Sequence, residues 1–195
     1  MSDTNLTKQN WELPGGLFIW IISVHETLLF FISLAIFKYQ KSTDTVLFSQ
    51  ESSFVNLSQG TFYSVLLIGS GWAIAEAQSK YTISRRGTGR AAKNYHLLGL
   101  VLGIAFLSLK IFDFADKIKI NKKFGDDAFW TFYWFLNSFH FFHVLVGIIF
   151  LIFLFFKLRK KPENKDIELF NSVAIFWHAC DIIWILLFAS LYIGN

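Results

Sequence analysis

The chain has 195 residues, of which 54% are hydrophobic and only 16% charged, whereas a soluble domain carries about 25% charged residues. An aromatic share of 19%, with 24 Phe against 2 Pro, excludes a disordered or collagen-like chain, and the single cysteine, Cys180, excludes a disulfide framework or thiolate metal cage. The formal net charge of +4 is spread between apolar runs, which argues against nucleic acid and for basic residues that set membrane topology.

The hydropathy pattern predicts an all-α polytopic membrane protein. It is a single domain over residues 1–195 and a bundle of five transmembrane helices, each needing about 20 residues to cross a bilayer. In chain order the spans are predicted at 15–37, 57–79, 95–114, 128–156 and 170–193. A β-barrel is disfavoured because these runs are continuously apolar and do not alternate. No cleavable signal peptide is expected: the first run follows a polar stretch without a basic cluster or a small-residue cleavage site. Residues 38–56 and 116–127 read as polar outer loops. Lys8, Lys80, Arg85, Arg86, Arg90, Lys93, Lys157, Arg159, Lys160, Lys161 and Lys165 fall on one side of such a bundle. Lys38, Lys41, Lys117, Lys119, Lys122 and Lys123 fall on the other. The positive-inside rule then places the N-terminus in the cytoplasm and the C-terminus outside. Residues 84–90 read as a basic cytoplasmic loop, without the spacing or preceding strand of a phosphate-binding loop.

Ionisable residues in hydrocarbon cost about 3 kcal/mol each and face the bundle interior. The first span carries His25 and Glu26, the second Glu76, the third Lys110 and Asp113, the fourth His140 and His143, and the fifth His178 and Asp181. The pairs His140/His143 and His178/Asp181 are i, i+3 and share a helix face. With Glu26 they fall at similar depth, so three helices offer polar groups to one layer.

Three readings of that layer stand side by side. It is a metal or haem site, a hydrogen-bonded network that fixes helix registry, or a proton path centred on Glu26. Spacing favours the network, because the Glu-x-x-His pairs of di-iron bundles are absent. Lys110 and Asp113 read as a local ion pair near the outer end, with Lys110 able to snorkel outward. Glu76 reads as a solvated helix end. Trp130, Trp134, Trp177 and Trp184 read as lipid-facing or interface anchors, and Cys180 as packing filler. Gly69, Gly71, Gly99, Gly103 and Gly147 permit close helix contact. The runs Phe30-Phe31, Phe141-Phe142 and Phe155-Phe156 offer lipid- or subunit-facing surface.

The fourth span, Asn137-Ser-Phe-His-Phe-Phe-His-Val-Leu-Val-Gly147, resembles the signature of subunit III of haem-copper terminal oxidases. The fifth, with Trp177-His178, Asp181 and Trp184, resembles that family's closing motif. Ser23-Val-His-Glu26 is similar to the helix with its buried carboxylate, and Ile111-Phe-Asp-Phe114 to its acidic-aromatic pair. The resemblance runs from Leu13 to Ile193 and is to the five-helix bacterial type. It implies a non-catalytic subunit of the bacterial inner membrane, packed on the catalytic haem-copper subunit I and on subunit II. It further implies bound phospholipid between helices and support for proton uptake and complex stability. This chain would hold no haem, copper or other metal of its own and no catalytic residue. Glu26 would be the buried carboxylate, and His140, His143, His178 and Asp181 the interior network. His25 and Lys110 depart from the family pattern. Leu13-Pro-Gly-Gly16 and Ser64–Trp72 are closer to accessory members associated with nitric-oxide reductases, which gives an alternative partner. An independent intramembrane metalloprotein and a small proton channel or transporter are the competing classes.

Overall fold

The computed structural model describes residues 13–83, 90–157 and 164–193. They form helices α1 (Leu17–Thr43), α2 (Thr45–Ser52), α3 (Leu57–Ile83), α4 (Arg90–Lys119), α5 (Ala128–Lys157) and α6 (Asn164–Phe188), closed by a π-helical turn, Ala189–Ile193. By length and composition α1, α4, α5 and the segment Lys165–Ile193 can each cross a membrane. Helix α3 is as long as α1, at 27 residues, but less apolar. Its small and polar residues Gly60, Ser64, Ser70, Gly71, Ala73 and Ala77 are buried, and it packs most extensively on α4.

Helix α6 touches α1, α3 and α5 and so lies at the centre of the bundle. Helix α1 is the least enclosed of the apolar helices. Close approach to α6 depends on glycine. A Cβ on Gly147 of α5 would lie 2.7 Å from Cε3 of Trp177, and one on Gly71 of α3 would overlap the Asp181 carboxylate.

Both expected outer loops are shorter than their polarity implies. Helix α1 continues through Lys41 to Thr43, and Asp44 then caps α2 by accepting from the Leu47 N–H at 3.1 Å. The cause is apolar. Phe37 and Phe48 are buried edge to face at 5.4 Å, and both pack on Phe129, so α2 folds over the end of the bundle. Helix α4 likewise runs to Lys119 because Lys117 is buried, donating to the Phe54 carbonyl at 2.8 Å.

The tryptophans correct the sequence expectation. Trp130, Trp177 and Trp184 are fully buried, not lipid-facing. Trp184 donates through Nε1 to Ser64 Oγ at 2.9 Å and Trp130 to Glu51 Oε2 at 2.6 Å, which lets an indole enter an apolar interior. Trp177 fills the space left by Gly103 and Gly147. Among the Phe pairs, Phe31, Phe142 and Phe156 are exposed while Phe30 is in the core.

Candidate functional site

The polar residues of the spans gather at two depths. In the middle of the bundle, His143 on α5 reaches Glu26 on α1, with Nε2 3.1 Å from Oε2. The other ring nitrogen, Nδ1, lies 2.8 Å from the Phe139 carbonyl oxygen. A carbonyl only accepts, so Nδ1 carries a hydrogen. Nε2 then faces the carboxyl in one of two states. Either Glu26 is protonated and donates to a neutral imidazole, or the imidazole is protonated and donates to a carboxylate. In both states the pair holds one transferable proton. His25 Nδ1 lies 3.6 Å from Glu26 Oε1, so the carboxyl has an imidazole on either side.

On α6, His178 Nδ1 is 3.2 Å from Asp181 Oδ2, and Asp181 Oδ1 has no hydrogen-bond partner among the described residues. The sequence expectation joined these residues to His140 and His143 in one network, but the geometry separates them. His140 is buried with no hydrogen-bond partner at either ring nitrogen among the described residues. Its ring stacks on Trp184 at 5.5 Å and meets the edges of Phe106 and Phe30. Residues three apart on a helix differ by about 60° in direction. That is enough for His143 to face α1 while His140 faces the aromatic core.

The second group lies nearer the end of the bundle that α2 covers. Lys110 is fully buried rather than snorkelling. Its Nζ donates to Asp113 Oδ2 at 2.7 Å, to Asn137 Oδ1 at 2.9 Å and to the Tyr192 hydroxyl at 3.3 Å. The Tyr133 hydroxyl donates to Asp113 Oδ2 at 2.9 Å, and Lys117 Nζ stands 3.8 Å from Oδ1. The ammonium lies within 5.8 Å of the ring centres of Tyr63, Phe114, Tyr133 and Trp184. A buried charge survives only when paired and hydrogen-bonded, and Lys110 has both. Sequence reasoning found Lys110 and Asp113 but missed Asn137, Tyr133 and Tyr192. Tyr133 and Asn137 continue the α5 stripe of His140 at helical spacing, which was a readable signal. Tyr192 depends on the π-turn and gave none.

Above the bundle, Glu51 Oε2 accepts from both Lys122 and Trp130, tying α2 to the turn before α5. Burial raises the Glu51 pKa, but the hydrogen bonds from Lys122 and Trp130 and the Lys122 charge outweigh it and hold the carboxyl below its ordinary value. Glu76 is half-exposed and paired with Lys80 at 3.1 Å. Among the described residues no three His, Cys, Asp or Glu side chains come together as a group that could hold a metal ion.

These features define a polytopic all-α membrane protein with a half-buried Glu–His pair between α1 and α5 and a caged lysine in its interior. Residues 12–195 match the family described as cytochrome c oxidase subunit III, and the chain belongs to that family. It is 27% identical over 112 residues to quinol oxidase subunit 3 of Bacillus spizizenii, covering 56% of this chain and 54% of that protein. It is 28% identical over 134 residues to cytochrome c oxidase subunit 3 of Rhipicephalus sanguineus, covering 66% of this chain and 48% of that one. With cytochrome bo(3) ubiquinol oxidase subunit 3 of Buchnera aphidicola subsp. Schizaphis graminum it shares 24% identity over 191 residues, or 97% of both chains. The chain thus spans about half the length of the first two relatives and nearly all of the third.

Proposed function

We propose that this chain is the non-catalytic subunit III of a respiratory haem-copper oxidase, resident in a bacterial inner membrane and packed on the catalytic subunit I beside subunit II. The observation that carries the reading is the family match over residues 12–195, which takes in every helix of the bundle. Helix α3 is read as a fifth span, with the N-terminus cytoplasmic and the C-terminus outside. The greater share of Lys and Arg on the N-terminal side supports this. Haem and copper belong to the partner subunit, and electrons do not pass through this chain.

Two local features support the accessory role. The Glu26–His143 pair joins a carboxyl and an imidazole at 3.1 Å within the predicted span of α1, which suits support of proton uptake. An almost wholly apolar groove of about 400 Å³ between α1 and α6, lined by Val24, Leu28, Ile175, Ala179 and Ile182, suits a phospholipid acyl chain.

The test is a mild-detergent pull-down of the tagged full chain from its native membrane, with a reduced-minus-oxidised optical spectrum. Haem bands together with an oxidase subunit I are the expected result. A colourless, partner-free chain from well-expressed cells overturns the reading. For the proton role, Glu26→Gln in the reconstituted oxidase is expected to lower proton uptake per electron. An unchanged ratio removes Glu26 from that role.

A further inference from the structure

His25 is anomalous. Its side chain is 65% exposed, yet it lies about 12 Å along α1 from Leu17 at 1.5 Å per residue, within an apolar run that continues to Phe37. An imidazole is too short to reach either interface from such a depth, and lipid tails offer no hydrogen-bond partner. Among the described residues its one polar contact is the Glu26 carboxyl, at 3.6 Å, and no hydrogen bond satisfies its Nε2. Around it, Phe18, Ile21, Leu28 and Ile32 are all exposed. With His25 they recur at alternating intervals of three and four, the spacing of a helix-packing seam. A single polar residue within such a seam fixes the register of the helix that packs on it.

We propose that the face of α1 running through Phe18, Ile21, His25, Leu28 and Ile32 is the docking seam for a transmembrane helix of the catalytic subunit. That helix places a hydroxyl, amide or carboxyl side chain opposite His25. Lipid would cover the apolar members of the seam equally well, and His25 is what favours protein over lipid. The seam also sets the partner helix beside the Glu26–His143 pair, since His25 Nδ1 lies 3.6 Å from Glu26 Oε1. The inference rests on the oxidase-subunit reading above.

The test keeps His25 intact. A photoreactive side chain is introduced at Ile21 or Ile32, which lie outside the apolar groove between α1 and α6, in the tagged full chain, which is illuminated in native membranes and isolated with its complex. The expected product is a covalent adduct with a transmembrane peptide of the haem-containing subunit. Adducts with lipid alone, or with a second copy of this chain, overturn the inference. As a second measurement, His25→Leu is expected to lower the haem recovered per tagged chain about threefold to tenfold, the scale of one interhelical hydrogen bond in a membrane. His25→Gln, which keeps a hydrogen-bonding tip, retains more. Haem recovery with His25→Leu equal to or above wild type overturns the inference. A wild-type chain that brings down no haem protein overturns the function itself. Haem recovery with only lipid photoproducts overturns the seam alone.

Discussion

Lys110 on α4 donates to the hydroxyl of Tyr192, 82 residues further along the chain, so the buried ammonium ties the C-terminal π-turn to α4. The same ammonium holds Asp113 and Asn137. Removing the cation strands a carboxylate in an aromatic interior. Lys110→Met is expected to destabilise the chain by about 3–5 kcal/mol, toward the lower end because Lys117 stays within 4 Å of Asp113. Adding Asp113→Asn is expected to recover most of the loss. Unfolding of the two variants in detergent, followed by tryptophan fluorescence, checks both statements.

The Glu26–His143 contact at 3.1 Å joins α1 to α5. A double-mutant cycle with Glu26→Gln and His143→Gln is expected to give a coupling energy of about 0.6–1.7 kcal/mol, the range of interhelical hydrogen bonds in membranes. Strictly additive losses would show that the two groups do not interact in the folded protein.

Gly147 and Trp177 are fitted to one another. Gly147→Ala sets a methyl 2.7 Å from the six-membered ring of the indole, and overpacking of this kind costs about 1–3 kcal/mol. Trp177→Phe withdraws part of that ring. The double variant is therefore expected to unfold at a higher temperature than Gly147→Ala alone. The reverse order would mean that the backbone, not the ring, carries the strain.

Asp181 accepts from or donates to His178 at 3.2 Å. Asp181→Leu removes the partner and leaves the imidazole unmatched, at about 1–3 kcal/mol. The yield of assembled complex is expected to fall, and Asp181→Asn, which still offers a carbonyl oxygen, is expected to lose less.

The Glu51 clamp predicts an acid limit. Its folded pKa lies below the ordinary value of 4.5, so the stabilisation is complete above that pH. It is lost as pH falls below 4.5 and through the lowered folded value. Trp130 donates to the same carboxylate and reports its release. A fluorescence transition below pH 4.5 is expected in wild type and absent in Glu51→Gln.

Composition and periodicity alone established that this is a helical membrane protein, because runs of apolar residues with so few charges are compatible with little else. They also located the ionisable residues within the spans and the i, i+3 pairing of Lys110 with Asp113 and of His178 with Asp181, since local spacing fixes which side chains share a face. The outer ends were misread for a physical reason. Polarity marks exposure, and exposed residues such as Lys38 and Lys119 ride on helices whose other face buries Phe37 or Lys117.

What only the tertiary structure decided is which shared faces meet. Helix directions put His143 against Glu26 but left His140 among rings, a distinction of about 60° that one sequence cannot resolve. Burial of three tryptophans required glycines and hydrogen-bond acceptors on other helices, at Gly103, Gly147, Ser64 and Glu51. Tyr192 reaches Lys110 from the last turn, which widens into a π-helix. Each of these is a relation between distant segments. Helical periodicity orders neighbours along one segment and carries no information about the partner across the interface.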